Sequence, residues 1–237
     1  MIITPKEWFW DQPAPGGGWM EESASNTPVV WLAWLTGDPA ILSFLGTLLP
    51  AAERIRQKQF RRCEDLQRFT IGRGLLRLLL GAHLRLPPVD ISLNLGPRGK
   101  PRLGSGGQRA GLRFNLSHSG QMVLLAFHAV QEVGVDVEEV RRDLGFPALA
   151  DQVLSPVEKR DWERLNSEAR LRVFFQAWTR HEARLKACGL EIGSQGVAGE
   201  ALKDFDLRLP AGYQGALALN CVDWDDPGAG TNKHGLI

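Results

Sequence analysis

The sequence is short of cysteine, of net charge and of long apolar runs. Its three cysteines, Cys63, Cys188 and Cys221, are widely spaced and form no metal-ligand pattern. That excludes a cysteine-built metal framework and suits a reducing cytosol. A formal net charge of +1 supplies no global field to attract a nucleic acid or an acidic membrane surface. The apolar run at residues 29–35 is far too short to cross a bilayer, which takes about 20 residues. The opening segment, MIITPKEWFW, lacks the basic-then-apolar order of a secretory signal. There is no internal repeat and no low-complexity tract. A cytoplasmic protein with no nucleic-acid and no membrane partner is therefore expected.

What remains is ordinary globular composition, 43% hydrophobic and 23% charged over 237 residues, enough for one large domain or two small ones. Residues 1–28, with Pro13, Pro15, Gly16, Gly17, Gly18 and Pro28, read as an irregular lead-in. Trp8, Trp10 and Trp19 within it predict that parts of it pack. Residues 29–35 (VVWLAWL) read as a buried strand ended by Gly37-Asp38-Pro39. From residue 50 to about 84 the pattern is helical, in one or two pieces, with Phe69, Leu76 and Leu80 among its apolar positions. Its polar side carries Arg54, Arg56, Lys58, Arg61, Arg62, Arg68, Arg73 and Arg77. That is either a solvated charged face or an anion site, since guanidinium forks match phosphate. A short strand is expected at residues 90–95, then a Gly-rich basic loop at 96–111 from which Lys100 can reach a phosphate.

Three later segments carry chemistry. Residues 114–119 read FNLSHS, and the hydroxyls of Ser117 and Ser119 beside His118 suit an anion pocket as well as a plain turn. In GVDVEEV, residues 134–140, a strand puts Asp136 and Glu138 on one face. They lie about 6–7 Å apart along the strand. Such a pair either sits on a solvated edge or shares a hard cation such as Mg²⁺. In residues 171–189, LRVFFQAWTRHEARLKACG, helical spacing gathers Leu171, Phe174, Phe175, Trp178 and Leu185 in one stripe. Glu182 falls in the middle of that stripe with Lys186 one turn on. The pair is either a surface contact worth about 0.2–0.5 kcal/mol or a buried acid awaiting a cation. Ser155-Pro156-Val157-Glu158 is a helix start with a capping box. Residues 192–222 read as short strands and turns, and the last residues, from about 223, as a polar tail.

Taken in order, FNLSHS, GVDVE and FFQAWTRHEARLKACG resemble the 4′-phosphopantetheinyl transferase superfamily, in particular its longer, surfactin-synthetase-activating type. The family's G-[VI]-D-x-E strand is met by Gly134, Val135, Asp136 and Glu138, and its W-[ST]-x-K-E-x-x-x-K helix by Trp178, Thr179, Glu182 and Lys186. The pattern breaks at His181, which replaces the usual lysine.

The resemblance implies an α+β fold, a pseudo-dimer of two similar α/β halves with the active site between them. The halves would be residues 1–130 and 131–237, in a monomer. It further implies transfer of 4′-phosphopantetheine from coenzyme A to a serine of an apo acyl or peptidyl carrier protein, releasing 3′,5′-ADP. Asp136, Glu138 and Glu182 would hold Mg²⁺, with Mn²⁺ the other candidate. Lys186 would meet the diphosphate, and Lys100 the coenzyme's phosphates. Ser117, His118, Arg54, Arg56 and Arg68 would serve the 3′-phosphate and its surroundings, and Glu158 would take the serine proton. Leu144, Phe146, Leu149 and Val153 would belong to a carrier-docking face. Two other readings share these residues: a coenzyme A- or carrier-binding protein that has lost turnover, motivated by His181, and a Mg²⁺-dependent phosphatase or nuclease.

Overall fold

The fold is described from a computed structural model, over residues 1–12, 27–96, 99–104, 111–142, 146–190 and 202–220. Trp19, Cys221, Leu144, half of the Gly-rich loop and the polar tail lie outside these residues, as does the side chain of Phe146.

Strand β1 (Ile2–Ile3) and strand β2 (Lys6–Glu7) precede β3 (Val29–Trp34). Helices α1 (Pro39–Thr47), α2 (Ala51–Gln57) and α3 (Cys63–Leu84) follow, then the small hairpin β4 (Leu93–Leu95) and β5 (Pro101–Leu103). Next come β6 (Arg113–Ser119), β7 (Met122–His128) and β8 (Glu132–Glu139). Helices α4 (Phe146–Val153), α5 (Pro156–Glu163) and α6 (Ser167–Cys188) lead to β9 (Leu202–Leu207) and β10 (Tyr213–Asn220).

Two four-stranded sheets result, ordered β2-β3-β7-β6 and β1-β9-β10-β8. Each contains the same unit, strand–helix–strand–strand: β3, α3, β6, β7 in the first and β8, α6, β9, β10 in the second. In both units the last strand is central and antiparallel to the other two. Helices α3 and α6 are each 22 residues long. The α+β pseudo-dimer read from the sequence is thus the fold observed.

The alternation of apolar side chains explains the layering. Val30, Leu32, Met122 and Leu124 of the first sheet meet Val133, Val135, Val137, Leu217 and Leu219 of the second in one buried cluster. On the outer face of the first sheet, Leu75, Leu76, Leu79 and Leu80 of α3 pack on Phe114, Leu125 and Phe127.

Three details depart from the sequence reading. The lead-in is not wholly irregular: β1 pairs parallel with β9 and β2 parallel with β3, so the first seven residues touch both sheets. Trp8 is buried there against α3 and the first sheet, as expected of packed tryptophans. Residues 39–47 form α1, because Asp38 caps it, accepting from Ala40 N–H, and Pro39 suits the first turn. Arg77 does not belong to a solvated or anion-binding face. It is 2% exposed and donates to Glu53, Pro88 O and Ile91 O, tying α3 to α2 and the following turn. No helix among the described residues is long and apolar enough to cross a membrane.

Candidate active site

The site begins with a glycine. A Cβ placed on Gly134 would lie 2.0 Å from Ala183 O and 2.4 Å from Ala187 N, so β8 meets the backbone of α6 directly. Ala183 and Ala187 of the helix and Ala216 and Ala218 of β10 complete a small-residue seam. Asn166 caps the start of α6, its Oδ1 accepting from Ala169 N–H, and Gly189 ends it in the left-handed conformation. Val133, Val135 and Val137 enter the intersheet core, so Asp136 and Glu138 face the other way with Gly134, towards α6. Glu182 and Lys186, one turn apart, thereby arrive over Asp136.

Asp136 is 4% exposed and Glu182 6%. The Lys186 ammonium donates to Asp136 Oδ1 at 2.6 Å, to Ser117 Oγ at 3.1 Å and to Val135 O at 3.2 Å. Ser117 donates to the same Asp136 Oδ1 at 3.0 Å, and Ser119 to Glu138 Oε2 at 2.8 Å. Burial pushes the Glu182 carboxyl up to about 7; repulsion from Asp136 and Glu138 adds to this and Lys186 opposes it. Glu138 is raised too, first by burial and then by Asp136, against the Ser119 hydrogen bond. Asp136 Oδ2 and Glu182 Oε1 are both buried with no hydrogen-bond partner. Unpaired carboxylate oxygens in a buried, mutually repelling cluster are costly. A hard divalent cation that takes oxygen ligands fits this donor set. Among the described residues no three acidic, histidine or cysteine side chains stand as a finished metal cage; the Lys186 ammonium neutralises Asp136 instead.

A cleft of about 250 Å³ opens beside this cluster, lined by Arg56, Phe60, Asp65, Arg68, Phe69, Gly72, Arg73, Leu116 and His118. Arg68 is held by Gly120 O and Asp65. Arg73 Nη1 is buried without a hydrogen-bond partner, 3.9 Å from Glu53. The Arg56 guanidinium lies 5.7 Å from the Phe69 ring centre, and Phe60 and Phe69 stand 5.1 Å apart. His118 points out from β6, and its ring is pushed below its ordinary pKa by desolvation, then by Arg68 and Lys186. It is therefore a neutral hydrogen-bonding group near pH 7. Three arginines with two aromatic rings can hold an anion attached to a flat ring.

Other residues predicted for the site are placed elsewhere. Arg54 donates to Leu49 O at 2.6 Å and does not line the cleft. Lys100 spends its N–H groups on Glu132 (2.9 Å), Val133 O (2.9 Å) and Lys186 O (3.0 Å). It therefore clamps the start of β8 to the end of α6, and a phosphate would have to displace one of these contacts. Glu158 forms the expected capping box with Ser155 and is pushed to the acidic side by those hydrogen bonds. His181 is half-buried, its pKa lowered by desolvation and then by Arg184. Leu149 and Val153 pack partly buried against Trp162, Phe174 and Phe175, with Val157 exposed nearby in sequence. Arg73 and Ser119 stand in the basic face and the Ser-His-Ser cluster of the sequence, but neither is singled out there for a role in the site. Ser119 was legible, since residues 117 and 119 must share a face of a strand. Arg73 was one of eight basic residues with nothing in the sequence to single it out.

Comparisons with known proteins identify the family. Residues 132–224 match the profile of the 4′-phosphopantetheinyl transferase superfamily, and residues 34–130 that of the N-terminal part of 4′-phosphopantetheinyl transferases. The 4′-phosphopantetheinyl transferase HetI of Nostoc sp. strain PCC 7120 is 36% identical over 198 residues, 82% of this chain and 81% of that protein. A phosphopantetheinyl transferase of Thraustochytrium sp. is 32% identical over 156 residues, 61% of this chain and 54% of that protein. The 4′-phosphopantetheinyl transferase of Bacillus subtilis is 26% identical over 168 residues, 69% of this chain and 72% of that protein. With both halves of the chain matched and a relative 36% identical over 82% of its length, this chain belongs to the 4′-phosphopantetheinyl transferase superfamily.

Proposed function

We propose that this transferase moves 4′-phosphopantetheine from coenzyme A to the serine of an apo acyl or peptidyl carrier protein, with Asp136, Glu138 and Glu182 holding Mg²⁺ or Mn²⁺. The observation that carries the metal assignment is the pair of buried, unpartnered oxygens, Asp136 Oδ2 and Glu182 Oε1, in a cluster whose members repel. Two strand–helix–strand–strand units in one chain support the longer, surfactin-synthetase-activating type, a monomer whose halves fall at residues 1–130 and 131–237. We place it in the cytosol, with no nucleic-acid or membrane partner.

In the reaction the serine oxygen forms a bond to the pantetheine-side phosphorus of the diphosphate. The bridging P–O bond breaks, and 3′,5′-ADP leaves with the electron pair. The cation, when bound, neutralises the diphosphate and acts as a Lewis acid. Lys186, already among these carboxylates, supplies a point charge for the leaving group. Ser117 and His118 offer neutral hydrogen bonds at the edge of the cleft. The serine proton goes to Glu158 in the family's pattern; its capping bond to Ser155 N–H engages Oε2 alone and leaves the second oxygen to accept. The carrier would dock over Leu149, Val153 and the exposed Val157.

We assign the 3′-phosphate to Arg56, Arg68 and Arg73, a reading supported by their lining one cleft. Replacing Arg73 by glutamine should raise KM for coenzyme A about tenfold or more, the worth of a hydrogen bond to a charged group. KM for dephospho-coenzyme A, which lacks that phosphate, should stay unchanged. Equal losses with both substrates would remove the assignment. The non-catalytic reading rested on His181 alone, and nothing in the site favours it.

A further inference from the structure

Strand β6 belongs to the first sheet and β8 to the second, and side chains rather than backbone join them. Asn115 Oδ1 accepts from Val135 N–H at 2.9 Å, Ser117 Oγ donates to Asp136 Oδ1 at 3.0 Å, and Ser119 Oγ donates to Glu138 Oε2 at 2.8 Å. Alternate residues of β6 thus grip β8 rung by rung. The outermost rung is held twice. Ser119 Oγ also accepts from Glu139 N–H at 3.1 Å, so one lone pair is taken and its single proton is aimed at Glu138. Two neighbours pin the turn that follows. Arg68 donates to Gly120 O at 3.0 Å, Tyr213 Oη accepts from Gln121 N–H at 3.0 Å, and a Cβ on Gly120 would meet Tyr213 Oη at 2.6 Å.

We infer that Ser119 is a positioning residue for Glu138: it fixes Oε2 and thereby turns Oε1 towards the metal position. The same geometry recurs one rung down, where Ser117 and Lys186 hold Asp136 Oδ1 and leave Oδ2 without a partner. Asp136 and Glu138 therefore each have one oxygen tied by the first half of the molecule. Tying one oxygen overcomes part of the repulsion between neighbouring acids and spares the cation the cost of ordering the carboxylate, which is how groups outside the ligand set raise metal affinity. The arrangement also makes the metal site depend on the contact between halves, since the ligands come from the second half and their orientation from the first.

This inference rests on the metal site proposed above, and the test separates the two. Free Mn²⁺ would be titrated by electron paramagnetic resonance against the full chain without coenzyme A, for the wild type, Ser119→Ala and Ser119→Thr. The expected result is Mn²⁺ binding by the wild type, binding about tenfold or more weaker in Ser119→Ala, and recovery in Ser119→Thr, which keeps the hydroxyl. In transfer assays the Ser119→Ala deficit should appear in the concentration of Mg²⁺ needed for half-maximal rate. The rate at saturating Mg²⁺ and KM for coenzyme A should stay near wild type, a split that general destabilisation would not produce. Wild-type affinity for Mn²⁺ in Ser119→Ala, or a lowered rate that Mg²⁺ does not restore, overturns the positioning role. Absence of Mn²⁺ binding in the wild type itself overturns the metal site, and the inference with it.

Discussion

Glu182→Gln is expected to abolish phosphopantetheine transfer and, without divalent cation, to melt at a higher temperature than the wild type at pH 8. The two effects have one cause. Burial and the neighbouring acids lift the Glu182 carboxyl to about 7. Between the ordinary carboxylate range and about pH 7, the folded chain keeps a proton that the unfolded chain has released. The folded state binds more protons there, so stability falls as pH rises through that window and the full cost is present above it. After allowing for solvent screening, that cost is on the order of 1–2 kcal/mol, or a few degrees of melting temperature for a chain of this size. Glutamine removes the charge and the cost, and it also removes a metal ligand. Mg²⁺ should then stabilise the wild type by mass action and leave Glu182→Gln unmoved. Metal and proton compete for one carboxylate, so Mn²⁺ affinity of the wild type should rise with pH up to about 7 and flatten beyond it. Calorimetry with and without Mg²⁺, at pH 5 and pH 8, checks the stability effects, and Mn²⁺ titrations at several pH values check the affinity; a variant less stable than wild type at pH 8 without metal would contradict the account.

Gly134→Ala is expected to cost about 3 kcal/mol of stability and to lower kcat at least a hundredfold. The added methyl would stand 2.0 Å from Ala183 O, 2.4 Å from Ala187 N and 3.0 Å from the carbonyl carbon of Lys186. These are backbone atoms and cannot rotate away, so α6 must lift from β8. Overpacking of a filled seam costs about 1–3 kcal/mol, more where backbone must move. The catalytic penalty follows because Glu182 and Lys186 travel with the helix, and a misplacement of about 1 Å can cost about 10²-fold. Gly37→Ala is the matched control, since its nearest contact would be Gln67 Nε2 at 3.7 Å. Urea midpoints and single-turnover rates for both variants decide it; a Gly134→Ala protein with wild-type stability would remove the close approach of α6 to β8.

Much of this site was legible in the sequence because it obeys the two backbone periods. The twofold alternation of GVDVE separates valines from acids, and the helical spacing of residues 171–189 leaves Glu182 among apolar neighbours. In the structure those patterns become the valine side of β8 in the intersheet core and the acid side under α6. Contacts between distant segments with no periodic signature were not legible. Lys100 reads as a mobile cation in a glycine-rich loop, yet Glu132 and two carbonyls consume it. Arg77 reads like its neighbours on a basic helix face, yet its place towards Pro88 and Ile91 buries it. Two-residue strands such as Ile2–Ile3 are too short to show alternation, so their pairing with β9 depends wholly on tertiary context. At residues 37–39 the letters Gly-Asp-Pro fit a turn and a helix cap equally well, and the strand reading of 29–35 favoured the turn. The capping box at Ser155 and Glu158 was legible because it is local, four residues satisfying one another.

The most direct test of the central claim is a mass measurement. The protein would be incubated with coenzyme A, Mg²⁺ and several apo carrier proteins, with parallel reactions containing EDTA or the Asp136→Ala chain. The account predicts that at least one carrier gains the mass of a single phosphopantetheine on its serine, and that neither EDTA nor Asp136→Ala permits the gain. An unchanged mass for every carrier, or an undiminished gain in the presence of EDTA, would contradict it.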